Sequence, residues 1–333
     1  MSLFRTEGNE RKGSHNSLTQ PLYQFLCRYD IDPSDVGRLE VGTETLVDKS
    51  KSTKTILMGL FPGNTNIEGA TVVNACYGGT AALLNAFTWV ESEGWDGRYA
   101  IVVAADIAAY ARGGARPTSG AGAVAVLVGR DAPLCFDPKE RATHAANVWD
   151  FFKPDHTVEY PTVDGKLSQV CYYQALEDVY SRFCDRLSKN NSGATFDAES
   201  HDYFVFHAPY NKLVQKSYGR LFFMDARRRA EEGEVDIDGF EEEWLTKPIE
   251  ETYSDKVIEK FLKSLSAQAY KKRLEDANMA SKLVGNTYTA SVFLGLASLI
   301  DRAGGRGDLT PGKSISVFSY GSGALATMYR LSV

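Results

Sequence analysis

Residues 74–86 read NACYGGTAALLNA, and this stretch decides how the rest of the chain is parsed. Three β-branched residues precede it (Thr71 to Val73), and Thr80 to Val90 continues it as a helix of small and apolar residues. Cys76 therefore sits where a short strand over 71–75 gives way to a helix. Unpaired N–H groups and the helix dipole at that mouth favour a thiolate, the nucleophilic form of cysteine. Gly78 and Gly79 permit a tight strand-to-helix turn and leave clearance for a substrate. A small buried thiol is the other reading of the same residues.

A second stretch has the same order. Residues 204–216, FVFHAPYNKLVQK, run from an apolar strand over 203–206 through His207 into a helix over 210–221. Lys212 and Lys216, about a turn apart, suit an anionic ligand. Two units of strand, reactive residue and helix hint at two related halves. Between them, 99–105 (YAIVVAA) is a continuous apolar run, the pattern of a strand buried on both faces. Residues 123–128 (AVAVLV) form its expected neighbour, reached through ARGGARPTSGAG. Helices are expected over 18–29, despite Pro21, over 167–187 and over 288–300; 59–69 reads as loop. Strands over 315–319 and 324–331 are joined by Tyr-Gly-Ser-Gly, a hairpin signal. Alternating strands and helices define an α/β class with mixed sheets.

The chain has 333 residues, 43% hydrophobic and 24% charged, with a formal net charge of -6. This is the balance of an ordinary globular protein and argues against a general nucleic-acid or anionic-membrane binder. No apolar run approaches a membrane span. The first 17 residues carry neither a signal-peptide core nor a good transit pattern, so the cytoplasm is the expected compartment. Five cysteines, Cys27, Cys76, Cys135, Cys171 and Cys184, form no CxxC pair and fit neither a zinc module nor a disulfide framework. Apart from Cys76 they read as reduced fillers, and no metal is expected. Residues 225–243, DARRRAEEGEVDIDGFEEE, read as a solvated charged excursion.

Several motifs carry no weight. Residues 307–314, GDLTPGKS, match the letters of a phosphate-binding loop but precede a strand, and Pro311 removes an N–H. Arg306-Gly-Asp308 and Asn190-Asn-Ser192 mean nothing in a cytoplasmic chain. His15 and His201 read as surface residues, and His144 and His156 fall in a loop-rich stretch. Glu44, in LEVGTET, lies at an apolar-to-polar transition where a surface carboxylate is the ordinary reading. A cysteine that carries an acyl group and forms a carbon nucleophile would, however, need a general acid/base beside it.

The blocks RLEVGTETLVDKSKS, NACYGGTAALLNAFTWVES, WDGRYAIVVAADIAAYARGGARPTSGAGAVAVLVG, DFFKPD, EYPTVDGKLSQVCY, DYFVFHAPYNKLVQKS, GNTYTAS and VFSYGSGALATM together resemble the eukaryotic hydroxymethylglutaryl-CoA synthases of the thiolase superfamily. The resemblance implies a thiolase-like αβαβα layered fold with mixed sheets of the five-stranded type. Its halves would span about 18–130 and 131–333, behind a non-matching tail over 1–17. It implies catalysis by Glu44, Cys76 and His207, with acetyl-CoA and acetoacetyl-CoA as substrates, no cofactor and a homodimer. Supporting positions carried over are Tyr77, Asp106, Tyr110, Thr118, Asp164, Asn286, Tyr320 and Ser322, with Lys212 and Lys216 facing the CoA phosphates. Ala105, Ser119 and Ala208 depart mildly from the family's usual residues. Family chains carry a further strand, loop and helix ahead of the region that 16–29 resembles, and a helix and closing strand beyond Val333. A truncated, non-catalytic homologue is therefore the alternative to an active synthase. A related ketoacyl synthase is disfavoured because its usual His and Asn pairing leaves Glu44 unexplained.

Overall fold

The computed structural model describes residues 14–155, 157–191, 193–237 and 239–333; for 14–18 only the backbone is described. The expectations for most of the 1–17 tail, the His15 side chain, His156 and Ser192 thus lie outside the described residues. The continuous apolar run becomes β3 (Tyr99–Ala108), the centre of a four-stranded sheet with β1 (Val36–Gly42), β2 (Thr71–Val72) and β4 (Gly120–Val128). β1 runs parallel to β2 and β3, pairing Leu39 with Ile101 and Val41 with Val103, while β4 is antiparallel to β3. β3 is buried on both faces because successive residues point to opposite cores. Ile101 and Val103 pack with Leu22, Phe25 and Leu26 of the helix Ser14–Arg28, whereas Val102 and Ala104 pack with Ala82, Ala86 and Phe293.

The second sheet holds β5 (Cys135–Ala145), β8 (Tyr203–Phe206), β9 (Ser314–Gly321) and β10 (Leu325–Ser332) in the order β5-β10-β9-β8. β8 is parallel to β9, and the other pairs are antiparallel. Its Val205 and Val317 share the core of Val102 and Ala104, so the helices Gly78–Val90 and Ser291–Leu299 lie between the two sheets. Its other face, through Phe204, Phe206, Phe318 and Met328, packs on Tyr172, Leu176, Tyr180 and Phe183 of the helix Gly165–Asn190. The layers are therefore helix, sheet, helices, sheet, helices. Each sheet has four strands among the described residues, not five. A separate two-stranded piece, β6 (Phe151–Phe152) with β7 (Thr162–Val163), leads toward the site.

Three expectations need correction. The strands β1 and β5 were not anticipated, because charged residues interrupt both. In β1, Arg38 Nε donates to Glu40 Oε1 at 2.8 Å, which lets a carboxylate lie buried within a strand. The charged excursion is not wholly solvated. Its helix runs from Asn211 to Glu231, and Asp225 is buried, accepting from Tyr180 OH at 2.9 Å and Ala198 N at 2.8 Å. His201 is buried rather than on the surface, with Nδ1 2.8 Å from Ser316 Oγ.

Candidate active site

The site begins where β1 ends. Thr43, Glu44 and Thr45 turn out of the sheet around one carboxylate, Asp106 of β3. Its Oδ1 accepts from Thr43 Oγ1 at 2.8 Å, Glu44 N at 2.9 Å, Thr45 N at 2.9 Å and Thr45 Oγ1 at 2.8 Å. Its Oδ2 accepts from Thr289 N at 3.1 Å. A buried carboxylate is tolerable only when its lone pairs are filled, and here they are filled by the segment that carries Glu44. Asp106 is thus a clamp for that segment, even though burial raises its own carboxyl above the usual range.

Among the described residues the Glu44 carboxyl lacks such a set of partners: its Oε1 is enclosed without a hydrogen bond. Burial, reinforced by the Asp106 charge, pushes it up to about 8, while the Lys153 ammonium pulls the other way. At neutral pH Glu44 therefore rests as a neutral acid.

Cys76 follows Ala75, whose φ of 40° lies in the left-handed region and turns the chain sharply into the helix Gly78–Val90. A Cβ on Gly78 would lie 2.8 Å from Val72 O, and one on Gly79 would lie 2.8 Å from both Ala104 Cβ and Phe293. The glycines therefore admit neighbouring strands and helices; their clearance is filled by protein and is not substrate space. The thiol also departs from the sequence reading. Burial pushes it well above the ordinary cysteine range, and the Glu44, Asp106 and Asp150 charges add to this, while Lys153 opposes them. Burial and carboxylates outweigh the helix mouth, so Cys76 rests as a thiol.

His207 extends β8: its N–H donates to Phe318 O at 2.8 Å, and its carbonyl accepts from Tyr172 OH at 2.7 Å. The next residue is pinned by Ala208 N to Ser291 Oγ at 3.0 Å. Burial alone lowers the imidazole to about 3, which leaves it neutral at pH 7.

Around these groups, Asn286 is buried and donates from Nδ2 to Tyr110 OH at 3.1 Å, while its Oδ1 accepts from Tyr288 N at 2.9 Å. Burial raises the Tyr110 hydroxyl to about 12 and the Tyr320 hydroxyl further, and both lie within electrostatic reach of Cys76. Tyr320 OH points to Asp150 Oδ2 at 3.4 Å, with Ser322 beside it. The Tyr77 hydroxyl shares a 2.5 Å hydrogen bond with Thr327 Oγ1, and its ring is part of the core.

Other sequence candidates lie further out. Thr118 reaches the site through its carbonyl, which accepts from Asn286 N at 2.8 Å. Asp164 caps the helix Gly165–Asn190, accepting from Lys166 N and Leu167 N at 3.1 and 3.0 Å. Lys216 is paired with Glu259 at 3.1 Å, and Lys212 is exposed. Sequence reasoning missed Asp150, Lys153, Tyr288 and Thr289. DFFKPD and GNTYTAS contained them, but nothing in either run signals a buried acid or the left-handed φ of 43° at Tyr288. Among the described residues no group of His, Cys, Asp and Glu is arranged to hold a metal ion, and no helix is long and apolar enough to cross a membrane.

Family models for the hydroxymethylglutaryl-coenzyme A synthase N-terminal and C-terminal regions match residues 9–133 and 134–333. The chain is 47% identical to hydroxymethylglutaryl-CoA synthase A of Dictyostelium discoideum, covering 97% of this chain and 66% of that protein. It is 46% identical to the cytoplasmic human hydroxymethylglutaryl-CoA synthase, over 96% of this chain and 62% of that one. It thus spans about two thirds of the length of these relatives. A solved structure of MvaS in complex with 3-hydroxy-3-methylglutaryl coenzyme A is similar with a TM-score of 0.83 and 29% identity, covering 97% of this chain and 72% of that one.

Proposed function

Because the chain belongs to the hydroxymethylglutaryl-CoA synthase family, we propose that it condenses acetyl-CoA with acetoacetyl-CoA and water to give 3-hydroxy-3-methylglutaryl-CoA and CoA. This acyl transfer would serve the mevalonate route to isoprenoids and sterols. The observation that carries the reading is a half-buried carboxyl, raised to about 8, on a segment that packs against the strand-to-helix turn presenting the half-buried Cys76 thiol.

Cys76 Sγ attacks the acetyl-CoA carbonyl; CoA leaves with the thiol's proton, and the acetyl group remains as a thioester. Glu44, once deprotonated, takes a proton from the acetyl methyl. The resulting carbanion adds to the ketone of acetoacetyl-CoA, and protonated Glu44 returns the proton to the new alkoxide. Neutral His207 donates a hydrogen bond that helps bind acetoacetyl-CoA and polarises its ketone. Backbone N–H groups near Cys76 and Ser322 serve the thioester oxyanion. Water then cleaves the thioester, leaving a free carboxylate and the Cys76 thiol. The balance closes with two thioesters and water and calls for no cofactor.

Tyr77, Asp106, Tyr110, Asn286, Tyr320 and Ser322 frame this centre, with Thr118 and Asp164 at its edge. Lys212 and Lys216 would meet the CoA phosphates as flexible point charges. The two sheets support reading 18–130 and 131–333 as related halves, the first supplying Glu44 and Cys76 and the second His207. Exposed Leu46, Val47, Val73 and Ile107 in the first half support a homodimer built there. The cytoplasmic name of the human relative supports that compartment.

The test is acetylation of the Cys76 peptide by acetyl-CoA, followed by mass spectrometry, and CoA release on adding acetoacetyl-CoA. Both should vanish in Cys76→Ala. A folded chain that leaves Cys76 unacetylated would sink the proposal and favour a non-catalytic homologue.

A further inference from the structure

The acids around Cys76 pose a problem for acylation. Burial opposes a thiolate at Sγ, and so do Asp106 within β3, Asp150 just before β6 and, whenever it is ionised, Glu44 just after β1. Tyr110, Tyr288 and Tyr320 complete the titratable wall. A nucleophilic sulfur in such a wall needs a counter-charge.

A cation enters from the β6–β7 piece. Phe151 of β6 packs edge-on against the Tyr288 ring at 5.7 Å, and Tyr288 in turn lies edge-on to Tyr110 at 5.9 Å. This anchors the next residues, and the Lys153 ammonium comes to lie 5.4 Å from the Tyr288 ring centroid. Its Nζ is enclosed without a hydrogen-bond partner among the described residues. Its nearest opposite charge is Glu159 Oε2 at 3.7 Å, on a side chain that is 57% exposed. A buried ammonium is costly unless its charge is used.

We propose that Lys153 is a positioning residue for the thiol chemistry, the counter-charge that stabilises negative charge on Cys76 during acylation, with Glu159 as the tether that draws part of that charge away. The assignment rests on Cys76 being the acyl carrier.

The test reads the thiol directly. Iodoacetamide alkylation of Cys76, followed on its own peptide across a pH series, needs no substrate. In Lys153→Met the profile should move to higher pH, slowing alkylation about tenfold at a fixed pH below the midpoint, the factor that corresponds to one pH unit. Lys153→Arg should restore the wild-type profile. Glu159→Gln should move the profile the opposite way, which a merely structural lysine would not do. A folded Lys153→Met with the wild-type profile overturns the inference. Should Lys153→Met fail to fold, an unchanged profile in Glu159→Gln overturns it instead. Wild-type protein that shows the lysine effect but never forms acetyl-Cys76 would retain the inference and discard the proposed reaction.

Discussion

Replacing Glu44 by Gln should make the protein more stable at alkaline pH while removing its chemistry. The native carboxyl keeps its proton to about pH 8, against an ordinary value of 4.5. Between these limits the native state binds more protons than the unfolded chain, so wild-type stability falls as pH rises through the window and levels off above it. At about 1.4 kcal/mol per pH unit, the span from 4.5 to about 8 amounts to about 5 kcal/mol. Glutamine keeps the shape and has no charge to bury. Chemical denaturation of the two proteins should give closely matched stabilities near pH 4.5 and a gap of about 3–5 kcal/mol in favour of Glu44→Gln near pH 9. The variant should still acetylate Cys76, since that step does not require the carboxylate, yet release no CoA in response to acetoacetyl-CoA. A stability gap that is the same at both pH values would refute the buried-acid argument. Condensation at the wild-type rate would refute the assigned role.

Two further outcomes follow from the packing. Gly79→Ala should cost about 1–3 kcal/mol in thermal or denaturant unfolding, because the new methyl meets Ala104 and Phe293 at 2.8 Å. Asp164→Asn should retain stability, since Asn caps as well as Asp, whereas Asp164→Ala should lose about 0.5–2 kcal/mol. A rise in KM for acetoacetyl-CoA in the Asn variant would mean that the carboxylate also contacts substrate.

How far the sequence was legible depended on whether the decisive interactions were local. β3 and β8 could be read because continuous apolar runs have few other solutions, His207 because it lies just beyond β8, and Cys76 because a short β-branched run and a small-residue helix flank it. β1 could not, since the Arg38–Glu40 pair that makes its carboxylate tolerable is a two-residue cross-talk hidden within a polar pattern. Asp225 was read as solvated because its partners, Tyr180 and Ala198, come from the preceding helix and the loop after it, far away in the chain. The same reasoning separates the three candidate catalytic residues. Glu44 has no local signature; it becomes an acid because Asp106, on another strand, holds the segment that carries it while leaving its own oxygen Oε1 unpartnered.

The thiol shows what local reading gets wrong. A helix mouth argues for a thiolate, but the helix is packed among acids delivered by three other segments, and those together with burial set the balance. A resting thiol beside a neutral carboxyl has a consequence for the order of events. With both groups protonated, Cys76 bears less repulsion from Glu44 as it loses its proton to the departing CoA. Once the sulfur is acylated it has no proton left to lose, so Glu44 can ionise and act as base with no thiolate able to form beside it. The two groups therefore have reason to ionise in turn, thiol first and carboxyl second.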